Sequence, residues 1–503
     1  MKTLAKLAVT MLSRGANHAQ NRDFQTNSSV QPSLSNPRIP MKKIIFLSLL
    51  AFLMKANAQD TRVQKIDSLF SVLAAKQEFN GNVLIAEKGN VIYRKSFGLR
   101  DEGQKLPLTD NSIFELASVS KQFTAMGIVL LEQKGKLEYD DALSKYIPEL
   151  FFYKDVTIRQ LLNHTGGLPD YMQLVGTKGD TTKINTNKDI IALFAKEKPQ
   201  ALFTPGSKFE YSNTGYALLA SVIEKASGKT YAAFLADNIF KPLKMENTFV
   251  YNRRLAPRKI ADYAYGYVYD ASQKKVLPDN DPNNNYVVCL DGIVGDGAIN
   301  STTTDLLKWD RALYTEKLVS KKSLHLVFTP PVLPNDEKTS YGFGWMIAKF
   351  DDYGRIANHS GGWPGYVTFI ERHTDNDKTI IVLQNNENGL SFLNNLRRLL
   401  YGKAPVVVKD SHTEITLTEA QLQPFVGEYE LEAGYNMAIT LDNAQLYSQL
   451  PGQQKFPIFP ETENAFFLKV VKAQLVFEKD EQGSVTAATL KQNGNELKIK
   501  KMK

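Results

Sequence analysis

Cysteine is almost absent: Cys289 stands alone among 503 residues. No disulfide can form within the chain, and Cys289 is expected to serve as a small, buried, apolar residue. Histidine is nearly as scarce, with six residues and no metal-ligand spacing among them. A zinc enzyme is therefore not expected, and no metal or organic cofactor is implied. Long hydrophobic runs are missing too. The segment Ile44 to Met54 is mostly apolar over eleven residues, short of the roughly 20 that a spanning helix needs. The body of the chain also lacks an excess of charge of either sign. The net charge is +8, yet residues 1 to 58 hold eight Lys/Arg against one acid, Asp23. What remains is close to neutral, so no nucleic-acid partner is expected. With 43% hydrophobic and 10% aromatic residues, the composition is that of a globular protein.

The basic start has a specific pattern. Met41-Lys42-Lys43 precedes the apolar run, and Ala56-Asn57-Ala58 closes it. This is the n-region, h-region and Ala-x-Ala order of a signal peptide over 41–58, with cleavage before Gln59. Export to the periplasm or the exterior is expected, with no stable membrane anchor after cleavage. No cysteine follows the cleavage point before Cys289, so a lipid-anchored form is not expected. Residues 1–40 are polar and unpatterned and are read as a mis-assigned or disordered leader, with translation starting at Met41.

Beyond the leader, residues 60 to 76 have the spacing of an amphipathic helix. Asn82 to Phe97 forms two β-rich runs around Lys88-Gly89-Asn90, a hairpin. Helical patterns dominate from about 115 to 330. Strand patterns return at Tyr341–Ile347, Arg355–Asn358, Tyr366–Glu371 and Thr379–Gln384, followed by a helix near 390–401. Pairing the early hairpin with this late meander yields an α+β fold, an antiparallel sheet with a helical lobe, over 59–402. Residues 403–416 read as a linker. Residues 417–503 then show eight short β-patterned runs divided by turns such as Asp442-Asn443 and Gln482-Gly483, as in a small antiparallel barrel. A ligand or a second copy of the chain are the partners such a barrel admits; Phe466, Phe467 and Phe477 are more simply its core.

The chemistry is concentrated in three elements. The first is Phe114-Glu-Leu-Ala-Ser118-Val-Ser-Lys121, opening an apolar helix that ends at Lys134-Gly135. Residues three apart share a helix face, so the Lys121 amine can reach the Ser118 hydroxyl and take its proton. The second is Tyr211-Ser-Asn213, on a loop before a helix near 215 to 226. A phenol near a cation can shuttle protons, and Asn213 can bind a substrate carbonyl and orient Lys121. Alone, this element reads more readily as a core tyrosine beside a turn asparagine. The third is Asn358-His359-Ser360-Gly361-Gly362-Trp363, between two predicted strands. Its glycines let a substrate approach the strand edge, and the Gly362 N–H can join that of Ser118 in an oxyanion hole.

Two rivals compete with these assignments. Ser272-Gln-Lys-Lys275 repeats the Ser-x-x-Lys spacing, but in a polar run read as a hairpin turn. His164-Thr-Gly-Gly167 matches the third element, but follows a helix and is read as a loop at the cleft rim.

In this order, the three elements resemble the penicillin-recognising serine hydrolases of the class C β-lactamase-like branch. Leu161-Leu-Asn-His-Thr-Gly-Gly-Leu168, Gly295-Asp-Gly297 and Tyr341-Gly-Phe-Gly-Trp345 add to the likeness over about residues 60 to 400. The resemblance implies a β-lactamase/transpeptidase-like fold. It makes Ser118 the acylated nucleophile, Lys121 its proton partner, Tyr211 the second general base and Asn213 a substrate binder. His359, Gly361 and Gly362 would bind substrate. The C-terminal segment looks like the lipocalin-like barrel often appended in this branch. The branch's β-lactamases carry Lys-Thr-Gly where this chain has His359-Ser-Gly. A neutral imidazole suits a carboxylate less well than a permanent cation. The expected activity is thus hydrolysis of small D-amino-acid-containing peptides or of esters. The alternatives are a β-lactamase or a catalytically silent penicillin- or peptidoglycan-binding sensor.

Overall fold

The computed structural model describes residues 61–502 except 271, 273, 407–411, 433–434, 443, 450–454, 470–472 and 493–494. The signal peptide and leader readings lie outside the described residues. The chain divides after Pro405 into two compact units, each described here by itself.

In the larger unit, β1 (Gly81–Glu87) and β2 (Asn90–Phe97) form the expected hairpin. Lys88 and Gly89, with φ of 50° and 76°, make its two-residue turn; two left-handed residues match the twist of the flanking strands. β3 (Met346–Phe350), β4 (Gly354–Trp363), β5 (Tyr366–His373) and β6 (Lys378–Gln384) complete an antiparallel sheet in the order β3-β4-β5-β6-β1-β2. Early hairpin and late meander thus share one sheet.

Strand β1 lies inside this sheet, and its side chains alternate between two cores. Val83 and Ile85 pack with Ile66 and Phe70 of α1 (61–75) and Leu396 and Leu400 of α5 (Leu393–Leu400). Leu84 and Ala86 face the helical lobe, where α2 (Lys121–Gln133), α3 (Asn213–Ser227) and α4 (Thr303–Ala312) lie. Burial on both faces explains why β1 reads as a continuous apolar run. Helix α2 is buried from Lys121 to Leu131, as its apolar stretch from Ala125 to Leu131 requires. Cys289 is buried in the same core. No helix among the described residues is long and apolar enough to cross a membrane.

The smaller unit is a closed barrel of eight antiparallel strands, β7 (Gly427–Glu432) through β14 (Asn495–Lys501), with β7 pairing back to β14. Closure removes the free edges that short strands would otherwise expose. Phe425, Tyr429, Phe466 and Phe477 fill its interior.

Two sequence expectations need correction. Tyr341–Ile347 is not a strand from its start: pairing begins at Met346, apart from one isolated bridge between Tyr341 and Met346. Gly344 has φ of 78°, and a Cβ there would lie 2.8 Å from Gln122 Cα, so the segment folds onto the start of α2 instead of running straight. The third motif, in turn, lies within β4 itself and not between strands.

Gly361, in β4, is seated against the turn that carries Ser118. A Cβ at Gly361 would lie 2.2 Å from Leu116 O and 2.3 Å from Thr368 Oγ1. Gly361→Ala is therefore expected to destabilise the domain by about 1–3 kcal/mol through overpacking, read as a lower thermal midpoint. An unchanged midpoint would show that β4 can move away at no cost.

Candidate active site

The short strand Phe114–Glu115 pairs with Ile299–Ser301 and delivers the chain to a single 3-10 turn, Ala117–Ser120, that runs into α2. Ala117 has φ of 47°, an uncommon value for a residue with a side chain, and such strain collects at functional turns. Leu116 O accepts the Thr368 hydroxyl at 2.7 Å and Leu116 N–H donates to Ile299 O at 2.8 Å, which fixes the turn from both sides.

Lys121 has no exposed surface. Its Nζ lies 3.2 Å from Ser118 Oγ, 2.9 Å from Asn213 Oδ1 and 2.9 Å from Asp296 O. A neutral amine has two N–H groups and one lone pair. With the N–H groups given to Asn213 and Asp296, the lone pair is left for the Ser118 hydroxyl. An ammonium donates to all three. Either protonation state is accommodated without rearrangement, which is what a group that accepts and returns a proton requires.

Asn213 is the first residue of α3, and Ser212 caps that helix by accepting the Gly215 N–H. Tyr211, one residue before the cap, places its ring 5.0 Å from Lys121 Nζ. The structure thus brings Ser118, Lys121, Tyr211 and Asn213 together. The rival Ser272 is exposed near the end of a hairpin, Val268–Tyr269 with Lys275–Val276, and its N–H donates to Asp270.

The third element contributes differently from its sequence reading. Gly362 lines the same cavity as Ser118 and Asn213. The His359 ring does not line it. It is 3% exposed, its Nδ1 is 2.6 Å from Ser360 O, and its Nε2 is 2.8 Å from the Tyr341 hydroxyl. The carbonyl accepts only, so Nδ1 bears the hydrogen and Nε2 accepts from Tyr341. Burial, followed by the nearby Lys121 charge, lowers the His359 pKa to about 3. Both ring nitrogens are thus occupied by protein groups, and the His359 side chain ties strand β4 to Tyr341.

Three residues take positions in the site that the sequence reading did not give them. Asp296 supplies a main-chain acceptor to Lys121, and its carboxylate accepts the Tyr171 hydroxyl at 2.9 Å. Burial raises its pKa. His164 is not at a rim but buried, with its ring 4.3 Å from that of Tyr211. Glu115, only three residues before Ser118, lines the cavity, and burial raises its pKa to about 7 against the opposing pull of Arg254. The cavity measures about 80 Å³ and is also lined by Met172, Ile293 and Trp363. Among the described residues no cluster of His, Cys, Asp and Glu could hold a metal ion.

The sequence profile of the Beta-lactamase family matches residues 66–403. The chain belongs to that family. A second profile, a domain of unknown function (DUF3471), matches residues 411–501. Penicillin-binding protein 4* of Bacillus subtilis (strain 168) is 44% identical over 83% of this chain and 94% of its own length. Teichoic acid D-alanine hydrolase of Staphylococcus aureus is 27% identical over 66% of this chain and 76% of its own. Among solved structures, the octameric penicillin-binding protein homologue from Pyrococcus abyssi is 26% identical. It superposes with a TM-score of 0.60 over 87% of this chain and 100% of its own. Membership places the chain among serine hydrolases of the β-lactamase fold.

The His359 environment in this family member has a measurable consequence. Native His359 stays neutral down to about pH 3, whereas an unfolded histidine takes up a proton near pH 6.5. Its contribution to stability is complete above about pH 6.5 and is lost as pH falls toward the folded value. Thermal midpoints of wild type and His359→Gln measured from pH 7 to pH 4 should therefore converge, with wild type falling more steeply. Parallel curves would contradict a neutral, buried His359.

Proposed function

We propose that the protein hydrolyses small D-aminoacyl amides, peptides or esters through an acyl-Ser118 intermediate. The observation that carries the reading is the Lys121 amine, held by Asn213 and Asp296 with its remaining position on Ser118 Oγ. Lys121 takes the Ser118 proton as Oγ attacks the substrate carbonyl. The oxyanion is received by the N–H groups of Ser118 and Gly362. Tyr211 passes a proton to the leaving amine or alcohol, and a water activated by Tyr211 then releases the acyl group. Asn213 orients both Lys121 and the substrate amide. By the Met41–Ala58 pattern, the enzyme works outside the cytoplasm.

The cavity chemistry supports an acyl donor bearing an ammonium group. Asp291 is neutralised by Arg254, whose Nη1 is 2.8 Å from its Oδ1. Glu115 and Asp296, the latter accepting the Tyr171 hydroxyl, also line the space beside Ser118, and Met172, Ile293 and Trp363 supply apolar surface for a small side chain. The D-alanine in the staphylococcal relative's name is a group of this kind. β-Lactams fit less well, because the neutral His359 offers no cation to their carboxylate.

A fluorophosphonate probe should label Ser118, and Ser118→Ala should abolish the adduct in mass spectrometry. An unlabelled, folded wild-type protein would refute the acyl-serine reading. Lys121→Ala and Tyr211→Phe should each lower turnover by about 100-fold or more; near-wild-type rates in either would remove it from the mechanism.

The ammonium reading gives a separate test. Glu115 ionises near pH 7, so KM for a D-alanyl anilide should fall as pH rises from about 6 to 7.5, while the substrate amine is still protonated. The N-acetyl analogue should show no such trend, and Glu115→Gln should abolish it. Equal pH dependence for both substrates would assign the cavity to a neutral acyl group.

A further inference from the structure

His164 takes no part in the steps above, yet it is only 1% exposed and grips three consecutive residues of the Tyr211 loop. Its carbonyl accepts the Glu210 N–H at 2.9 Å, and its Nδ1 accepts the Ser212 N–H at 3.1 Å. Between these, its ring lies against the Tyr211 ring with centroids 4.3 Å apart. The other groups around that ring are farther from its centre: Lys121 Nζ at 5.0 Å, and the Tyr341 and His359 rings at 6.1 Å each. His164 is the nearest of them.

Two features of His164 oppose its own stability. Its φ is 60°, in the left-handed region that a side chain disfavours. Because Nδ1 accepts, the ring hydrogen is on Nε2, and Nε2 has no partner among the described residues. A buried donor without an acceptor is costly. Phenylalanine would fill the same space without that donor. What phenylalanine cannot supply is an acceptor for Ser212 N–H combined with a flat face for Tyr211.

We propose that His164 is a positioning residue, setting the Tyr211 ring and the Ser212 backbone so that the phenol meets the leaving group. The proposal rests on the acyl-serine reading. His164 does this as a neutral imidazole, since a proton on Nδ1 would remove the Ser212 acceptor. The titratable groups facing it are Lys121 on α2, His359 on β4, Tyr211, Tyr216 on α3 and Tyr341. Burial first, and then the Lys121 charge, oppose a second cation among them.

Two substitutions separate the contacts. His164→Phe keeps a flat ring and removes the acceptor, and His164→Asn keeps an acceptor and removes the ring. Fluorophosphonate labelling of wild-type Ser118 comes first: its failure would remove the acyl-serine reading, and this proposal with it. Where labelling succeeds, each folded variant should lower kcat for a D-alanyl anilide by about tenfold to a hundredfold while KM stays within about twofold. In a Tyr211→Phe background the same substitutions should cost less than about twofold, because the residue they position has already lost its hydroxyl. Losses that multiply fully in that background, or wild-type kcat in either folded variant, would overturn the proposal. If His164→Phe does not fold, the His164→Asn cycle decides by the same criteria.

Discussion

A buried amine governs the site. Lys121 has no contact with solvent, so every polar position on its Nζ must be met by protein. Two acceptors come from distant parts of the chain, Asn213 at the start of α3 and the Asp296 carbonyl, 92 and 175 positions away. The Ser118–Lys121 spacing is local, but the protonation chemistry is not. It exists only when the helical lobe has closed around α2. Because the two distant acceptors suit both the amine and the ammonium, a proton can move between Ser118 and Lys121 without rearranging the surroundings, and such preorganisation is where much of an enzyme's advantage over water resides.

Burial, reinforced by the same charge, keeps two histidines neutral. His164 and His359 are both buried, and for each the Lys121 cation is the second cause of a lowered pKa after burial. Each histidine uses Nδ1 on the backbone, but with opposite polarity: His164 accepts from Ser212 N–H, and His359 donates to Ser360 O. One anchors the Tyr211 loop and the other anchors β4. Tyr341 links them, donating to His359 Nε2 while its ring lies 4.4 Å from that of His164. Tyr341 can do this because Gly344 folds its segment back onto α2.

Much of the architecture was legible in the sequence, for reasons visible at particular residues. Val83 to Ala86 reads as a strand because it is buried on both faces, and Phe123 to Leu131 reads as a core helix for the same reason. The barrel strands alternate and are divided by short turns, so their number could be counted. Ser118, Lys121, Tyr211 and Asn213 converge because their motifs lie at element ends that the core positions. The rest was hidden for physical reasons. Asp296 serves Lys121 through its carbonyl, a group every residue possesses, so no side-chain pattern announces it. His164 could not be placed by its local pattern, since what buries it is Tyr211, Tyr216 and Tyr341 from three other positions in the chain. His359 reads as a substrate binder in sequence because no local pattern shows that Tyr341, 18 positions earlier, occupies its Nε2.

The position of charge around the cleft then bears on what the site can hold. A lysine at position 359 would be a second cation close to Lys121 and would favour an anionic group in the substrate. With a neutral histidine there, Lys121 is already satisfied by its own acceptors, and Arg254 is engaged by Asp279 and Asp291. Glu115 and Asp296, the latter accepting the Tyr171 hydroxyl, are the other acidic residues that line the cavity. Loss of a cation at one wall and acidic residues at another act in the same direction, because both make an ammonium cheaper to accommodate and a carboxylate dearer. The neutral histidine at 359 and the acidic cavity lining are thus parts of one electrostatic arrangement, the one on which the proposed aminoacyl donor rests.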